Sequence, residues 1–293
     1  MKSFKAIISF SGLMVLSGCA SIVGSSSVEV HPKPGKQMYM CGGGLDHYKN
    51  GISKDAIESA KEAFLYAMMA SNSYSFDMPR YFNIPSWEFI ETRSSWTGFS
   101  AEVYKKIDSE KYAIVFRGTD NLSDWIFGNL LGFQYIEADW YSKYIGEKYS
   151  NAEEIVLIGH SLGAAMALYT SRFDPTEKVK KTFLFSYPSA VTRLISEPLA
   201  WFFNFGKLFN PMSKSGRFGI TEDNDILDFN RGDTQEFDFQ DSDGIKEHSM
   251  YRLSRGLLMV SAANDNSDAI KVLVNIGCFK NSANDVSEYH TNN

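Results

Sequence analysis

Positive charge is in short supply in this chain. Lys and Arg number 29 against 35 Asp and Glu, a formal net charge of -6, and no stretch gathers the basic residues into a cluster. That balance argues against nucleic acid as a partner, because phosphate backbones are bound by concentrated Lys and Arg. Cysteine is scarce too, at Cys19, Cys41 and Cys278. No apolar run is long enough to cross a bilayer as a stable helix; Ala6 to Leu16 falls well short. Histidine occurs five times, which narrows the search for a general base. What the chain does have is apolar and aromatic side chains, 44% and 14% of 293 residues. That is enough to bury one large core, and a single α/β domain of this size is ordinary.

The first residues stand outside the fold. Lys2 and Lys5 give a positive start, Ala6 to Leu16 an apolar middle, and Leu16-Ser17-Gly18-Cys19 closes the segment. The pattern resembles a bacterial lipoprotein signal. The resemblance implies a signal peptide over 1–18, cleavage before Cys19 and lipidation of its thiol, so that the protein is held at the membrane of the bacterial cell envelope. Two or more acyl chains give durable anchoring where one does not. Ala20 follows the cysteine, and by the usual sorting rule this favours the outer membrane. Residues 19–36 contain Gly24-Ser25-Ser26-Ser27 and His31-Pro32-Lys33-Pro34-Gly35, a composition that buries little and serves as a tether. The folded domain is expected over 37–280, with a polar tail over 281–293. Cys41 and Cys278 lie near opposite ends of that domain. A disulfide between them would close a long loop and stabilise by roughly 5 kcal/mol as an upper figure; a bridge and two buried thiols both remain open.

The stretch on which the rest depends is Ile155 to Ala167. A β-branched and leucine run ends in Gly159-His160-Ser161-Leu162-Gly163 and passes into Ala164-Ala165-Met166-Ala167. Strand, tight turn and helix in that order form a nucleophile elbow, with Ser161 in a strained backbone conformation at the carboxyl end of a buried strand. The flanking glycines keep Cβ atoms away from the crossing helix.

Upstream, Ser53 to Ser71 reads as a helix capped by Ser53, with Ile57, Ala60, Phe64, Ala67 and Met68 on one face. Trp87 to Thr92, Gly98 to Lys105 and Tyr112 to Phe116 read as strands, the last one buried. It ends in Arg117-Gly118-Thr119-Asp120. Phe-Arg-Gly-Thr after a buried strand, followed some forty residues later by Gly-His-Ser-Leu-Gly, resembles the class 3 lipase family of α/β hydrolases, which includes the secreted fungal triacylglycerol lipases. The resemblance extends over roughly Ser53 to Ala262. It implies an α/β-hydrolase fold: a mostly parallel central sheet flanked by helices in one domain. It also implies an oxyanion hole built from the Thr119 N–H and hydroxyl and the Leu162 N–H, fixed donors where a tetrahedral intermediate becomes negative.

In the fungal relatives a short lid follows this strand. Asn121 to Leu131 is similar to it, and a core-facing helix is the equal alternative. Asp139 to Ser150 is expected as the helix before the elbow, with Tyr141, Tyr144 and Ile145 on its apolar side. Thr182 to Tyr187 reads as the next parallel strand, ended by Pro188. The family commonly has Phe-Gly-Ser-Pro there, and Tyr187 departs from it. Trp201 to Phe209 is apolar on nearly every side, which suits a lid, an acyl groove, a membrane-facing patch or burial against the body.

Arg217 to Thr221 is a further strand candidate. After it the family places its acid in an Asn-Asp-x-Val-like pattern, which carries over to Asp225; Asp223 and Asp228 are the competing carboxylates. Asp238, Asp241, Asp243 and Gly244 lack the spacing of an EF-hand loop. His248 precedes the last helix, which runs through Leu253, Leu257 and Val260, and this is where the fold keeps its general base. The other histidines fit less well: His31 sits in the tether, His47 precedes the core elements, His160 is fixed inside the elbow with its side chain away from Ser161, and His290 lies in the tail.

The expected chemistry is that of a serine ester hydrolase acting on a lipid acyl ester, triacylglycerol or phospholipid. Ser161 attacks, His248 moves the proton, Asp225 fixes the imidazole, and no metal or organic cofactor is called for. Peptidases and acyltransferases use the same three groups. A different class of reading is a surface lipoprotein that uses a hydrolase fold for binding or assembly without catalysis, against which an intact Ser161, Asp225 and His248 speak.

Overall fold

The computed structural model describes residues 48, 51–75, 81–118, 131–172, 174, 177–187, 216–223, 234–239, 248–276 and 278. Cys19, where lipidation is expected, Cys41, the segments 121–130 and 201–209, and the tail fall outside them.

Helix α1 spans Lys54–Asn72, and Ser53 caps it by accepting a hydrogen bond from the Ala56 N–H at 3.2 Å. Three strands follow as a meander: β1 (Trp87–Ser94), β2 (Ser100–Lys106) and β3 (Lys111–Phe116). Helix α2 (Leu131–Lys148) leads to β4 (Glu154–His160), α3 (Leu162–Arg172) and β5 (Val179–Phe185). Then come β6 (Gly216–Glu222), β7 (Thr234–Phe237), α4 (Met250–Ala263) and α5 (Ser267–Asn275). The strands form one seven-stranded sheet in the order β1-β2-β3-β4-β5-β6-β7. β1 to β3 pair antiparallel, and every pairing from β3 to β7 is parallel. This mostly parallel sheet, flanked by helices and carrying an elbow after β4, is the α/β-hydrolase architecture.

Side-chain alternation along the strands divides the core into two layers. Ala113, Val115, Val156, Ile158, Phe183 and Phe185 face α1 and α4. Ile114, Phe116, Leu157 and Leu184 face the other way, toward α2 and α3. The register pairs Ala113 with Val156 and Ile114 with Leu157, so like faces meet across neighbouring strands.

Several elements differ from expectation. α2 begins eight residues before Asp139, because Tyr135 and Ala138 continue the buried stripe of Tyr141 and Ile145. Tyr144, expected on that stripe, is exposed and stacks on Trp140 at 5.7 Å. The β5 strand starts at Val179 and ends before Ser186. β7 is four residues long with one buried side chain, too short an apolar pattern to be assigned from sequence; α5, capped by Asn266 and burying Ala269, Val272 and Leu273, has a clear amphipathic pattern and is a helix beyond those expected.

Two separate layers imply independent packing defects. Ile114→Val and Ile158→Val should each cost about 1 kcal/mol, and the double variant should cost their sum to within about 0.5 kcal/mol. Urea unfolding of the three variants measures this. A coupling well above 1 kcal/mol would contradict the two-layer description.

Candidate active site

The nucleophile elbow is where local sequence and tertiary packing meet. Ser161 has φ 56°, the left-handed region that a side chain enters only at a cost of about 1 kcal/mol or more. The surroundings hold it there: the Ser161 N–H donates to the Phe185 carbonyl of β5 at 3.0 Å, and its own carbonyl accepts from the Ala164 N–H at 3.0 Å as α3 begins. A Cβ on Gly163 would overlap the Phe116 carbonyl, and one on Gly159 would overlap the Gly163 carbonyl. Glycine is therefore required at both positions by the close crossing of α3 over β3 and β4.

Gly118, which follows β3, lies against the elbow. A Cβ built on it would stand 3.1 Å from the Ser161 Cβ and 2.6 Å from the His160 carbonyl oxygen. Of the two expected oxyanion donors, Thr119 falls outside the described residues. Leu162 is the first residue of α3, where a helix leaves its N–H groups without intrahelical partners.

His248 comes to the same place from the far end of the chain. Its ring lies 4.7 Å from the His160 ring, centroid to centroid, and its carbonyl accepts from His160 Nε2 at 3.0 Å. Ser161 and His248 are both buried, at 4% and 3% exposure. The fold thus brings His248 against the residue that precedes Ser161. Asp225 and its competitor Asp228 lie outside the described residues. Asp223 sits in the turn after β6, where its N–H donates to the Phe237 carbonyl at 2.6 Å.

Three participants at this end of the sheet have no marker in the sequence. Tyr74, just beyond α1, approaches His160 Nδ1 with its hydroxyl at 2.7 Å and accepts from the Gly118 N–H at 3.1 Å. Glu222 is a buried acid whose Oε1 accepts from the Phe239 N–H at 2.8 Å, pinning the chain beyond β7 to β6. Ser186 follows β5 with φ 46°, buried, and its Oγ makes no hydrogen bond among the described residues.

The rim has a rigid aromatic tip. β1 runs in the same direction as β3, so the β1–β2 turn lies at the carboxyl edge of the parallel strands, the edge that carries Ser161. Gln134 Nε2 donates to the Thr97 carbonyl at 2.6 Å, and the Ser95 and Thr97 hydroxyls reach Glu137. These bonds tie the turn to the first half of α2. Between them Trp96 stands 85% exposed, with Phe133 56% exposed on the neighbouring helix.

Residues 66–177 match the Tle-like phospholipase domain family model. The matched segment contains β1 to β4, α2, the elbow and all of α3, and it stops short of Asp225 and His248. No curated protein matches the chain. Among solved structures the chain is similar to fungal lipases. A Rhizomucor miehei lipase propeptide complex shares 15% identity at a TM-score of 0.39, over 60% of this chain and 63% of that one. Lipase II from Rhizopus niveus shares 16% at 0.41, over 60% and 75%, and Lip2 lipase from Yarrowia lipolytica 19% at 0.41, over 60% and 74%. The chain therefore spans somewhat less than two thirds of the Rhizomucor protein.

The Ser186 backbone gives a direct check. Ser186→Gly relieves a left-handed serine and removes a buried hydroxyl, at the cost of extra freedom in the unfolded chain. The net effect expected is a gain of about 1 kcal/mol in stability, read from the thermal or urea midpoint; a loss would mean that the hydroxyl holds a partner worth more than the strain.

Proposed function

We propose that this protein is a serine hydrolase of lipid acyl esters, with phospholipid the favoured substrate, working through Ser161, His248 and Asp225. The observation that carries the proposal is the strained Ser161 at the head of α3 with the His248 residue packed against its neighbour. Left-handed geometry at a buried serine is an expense a fold keeps where the hydroxyl must be presented at one fixed place. The phospholipase-like match over 66–177 supports the substrate class.

In this mechanism His248 takes the Ser161 proton as Oγ bonds to the ester carbonyl carbon. The oxygen that becomes negative is held by the N–H groups of Thr119 and Leu162. The intermediate collapses, the carbon–oxygen bond to the alcohol breaks, and His248 returns the proton to the leaving oxygen. Water then attacks the acyl-serine with His248 again accepting a proton, and carboxylic acid and free Ser161 result. Asp225 accepts from the imidazole and stabilises its charged form. Nothing in this sequence of steps draws on a metal or an organic cofactor.

The setting fits a substrate embedded in a lipid surface. Trp96 and Phe133 present apolar side chains at the edge that carries Ser161, and aromatic side chains favour the interfacial zone of a bilayer. The lipoprotein-like start belongs to the same proposal: Cys19 carries the lipid, and the enzyme works from the bacterial envelope, at the outer membrane. We propose that Cys278 and Cys41 form a disulfide.

The decisive experiment compares wild type with Ser161→Ala on phosphatidylcholine and phosphatidylglycerol vesicles, with released fatty acid measured by mass spectrometry. Wild type should release fatty acid and react at Ser161 with a fluorophosphonate probe. Ser161→Ala should lose about 10⁴- to 10⁶-fold in kcat and all labelling. An unlabelled wild type without esterase activity would overturn the proposal. In a second comparison, Trp96→Ser should lower activity on vesicles several-fold and leave hydrolysis of a soluble short-chain ester unchanged.

A further inference from the structure

With a neutral imidazole, the surroundings of His160 leave one consistent assignment for its proton. The His248 carbonyl can only accept, so His160 Nε2 carries the hydrogen in their 3.0 Å contact. In a neutral imidazole Nδ1 is then an acceptor, and the Tyr74 hydroxyl, 2.7 Å away, donates to it. That leaves the Tyr74 oxygen with lone pairs to accept the Gly118 N–H at 3.1 Å. The result is a one-directional chain of hydrogen bonds: Gly118 N–H to Tyr74, Tyr74 O–H to His160, His160 N–H to the His248 backbone.

Each link joins a different part of the fold. Tyr74 comes from the end of α1, and that end is firmly tied down. The buried Asn72 side chain donates to and accepts from the Phe82 backbone at 2.9 Å in each direction, and the Ser73 and Ser75 hydroxyls close on the carbonyls of Ala70 and Asn72 at 2.7 Å. Gly118 precedes the expected oxyanion donor Thr119. His160 is the last residue of β4, and by the alternation of that strand it shares a face with Val156 and Ile158, the side toward α1 and α4. Its ring meets Tyr74 edge-on at 5.6 Å and lies over His248 at 4.7 Å.

We propose that Tyr74 and His160 are positioning residues: they lock the segment entering the oxyanion hole and the backbone of the general base to the nucleophile's own strand. The inference rests on Ser161 and His248 being nucleophile and base. Neither Tyr74 nor His160 is the nucleophile or the base. They act by holding three separately contributed segments in one register, and misplacement of a catalytic group by about 1 Å can cost on the order of 100-fold in rate. The interior location strengthens each bond and makes a missing partner costly.

The test uses Tyr74→Phe, which removes one oxygen, with His160→Phe and His160→Gln. A soluble short-chain nitrophenyl ester reports kcat and KM, and a fluorophosphonate probe reports the reactivity of Ser161. Tyr74→Phe and His160→Phe should lower kcat roughly 10- to 100-fold with KM within about twofold, and slow labelling in parallel. His160→Gln offers an amide N–H to the His248 carbonyl and an amide oxygen to Tyr74, and should recover about tenfold over His160→Phe. A core variant away from the site, Leu257→Val, serves as a stability control; matched for loss of thermal midpoint, it should keep wild-type kcat. If His160→Phe fails to fold, Tyr74→Phe carries the comparison. Variants that retain wild-type kcat, or lose no more than the control, overturn the inference and leave the proposed function standing. A wild type that neither labels at Ser161 nor cleaves the ester overturns both.

Discussion

The crossing of α3 over the ends of β3 and β4 constrains everything else at the candidate site. A helix can leave the end of a central strand this abruptly only if the linking residue turns left-handed and nothing larger than hydrogen stands at Gly159 and Gly163. The energy for that turn comes from outside it. β5 supplies the Phe185 carbonyl to the Ser161 N–H, and the two apolar layers hold the strands at fixed spacing. The close approach of Gly118 to Ser161 follows from the same crossing, since β3 and β4 are adjacent and parallel.

Strand alternation then decides what stands beside the nucleophile. The residue before Ser161 faces α1 and α4, and in place of another aliphatic side chain it is a histidine with a use for both nitrogens. A buried imidazole needs partners on each side. His160 finds them in Tyr74 and in the His248 backbone, and in satisfying itself it joins the two helices of that layer to the elbow. Among the described residues the hydrogen bonds from Gly118 through Tyr74 and His160 to the His248 backbone form one connected set.

Legibility in the sequence followed how local each feature is. The elbow could be read because its requirements occupy five consecutive residues, and β3 and β4 because buried central strands are nearly continuous apolar runs. β7 could not: Thr234-Gln235-Glu236 are only partly buried, and pairing with β6 makes this stretch a strand. The start of α2 is hard to read because its buried stripe is mostly tyrosine and alanine, a weak periodic signal, and Tyr144 lies on the exposed side against Trp140. Ser161, Leu162 and His248 lie among the described residues, and the fold gathers them at one edge. Thr119 and Asp225 rest on the family-like motifs around them.

The sequence by itself determined the elbow, the alternation that builds two layers around a buried sheet, and a histidine just before α4, which α5 follows. Each is written in residues a few positions apart, where backbone geometry and side-chain period act directly. Only the tertiary structure decided that Tyr74 and His248 meet His160, across 86 and 88 residues of chain. A hydrogen bond between distant segments leaves no local pattern, because its existence depends on the packing of whole helices against the sheet and not on the residues that flank either partner.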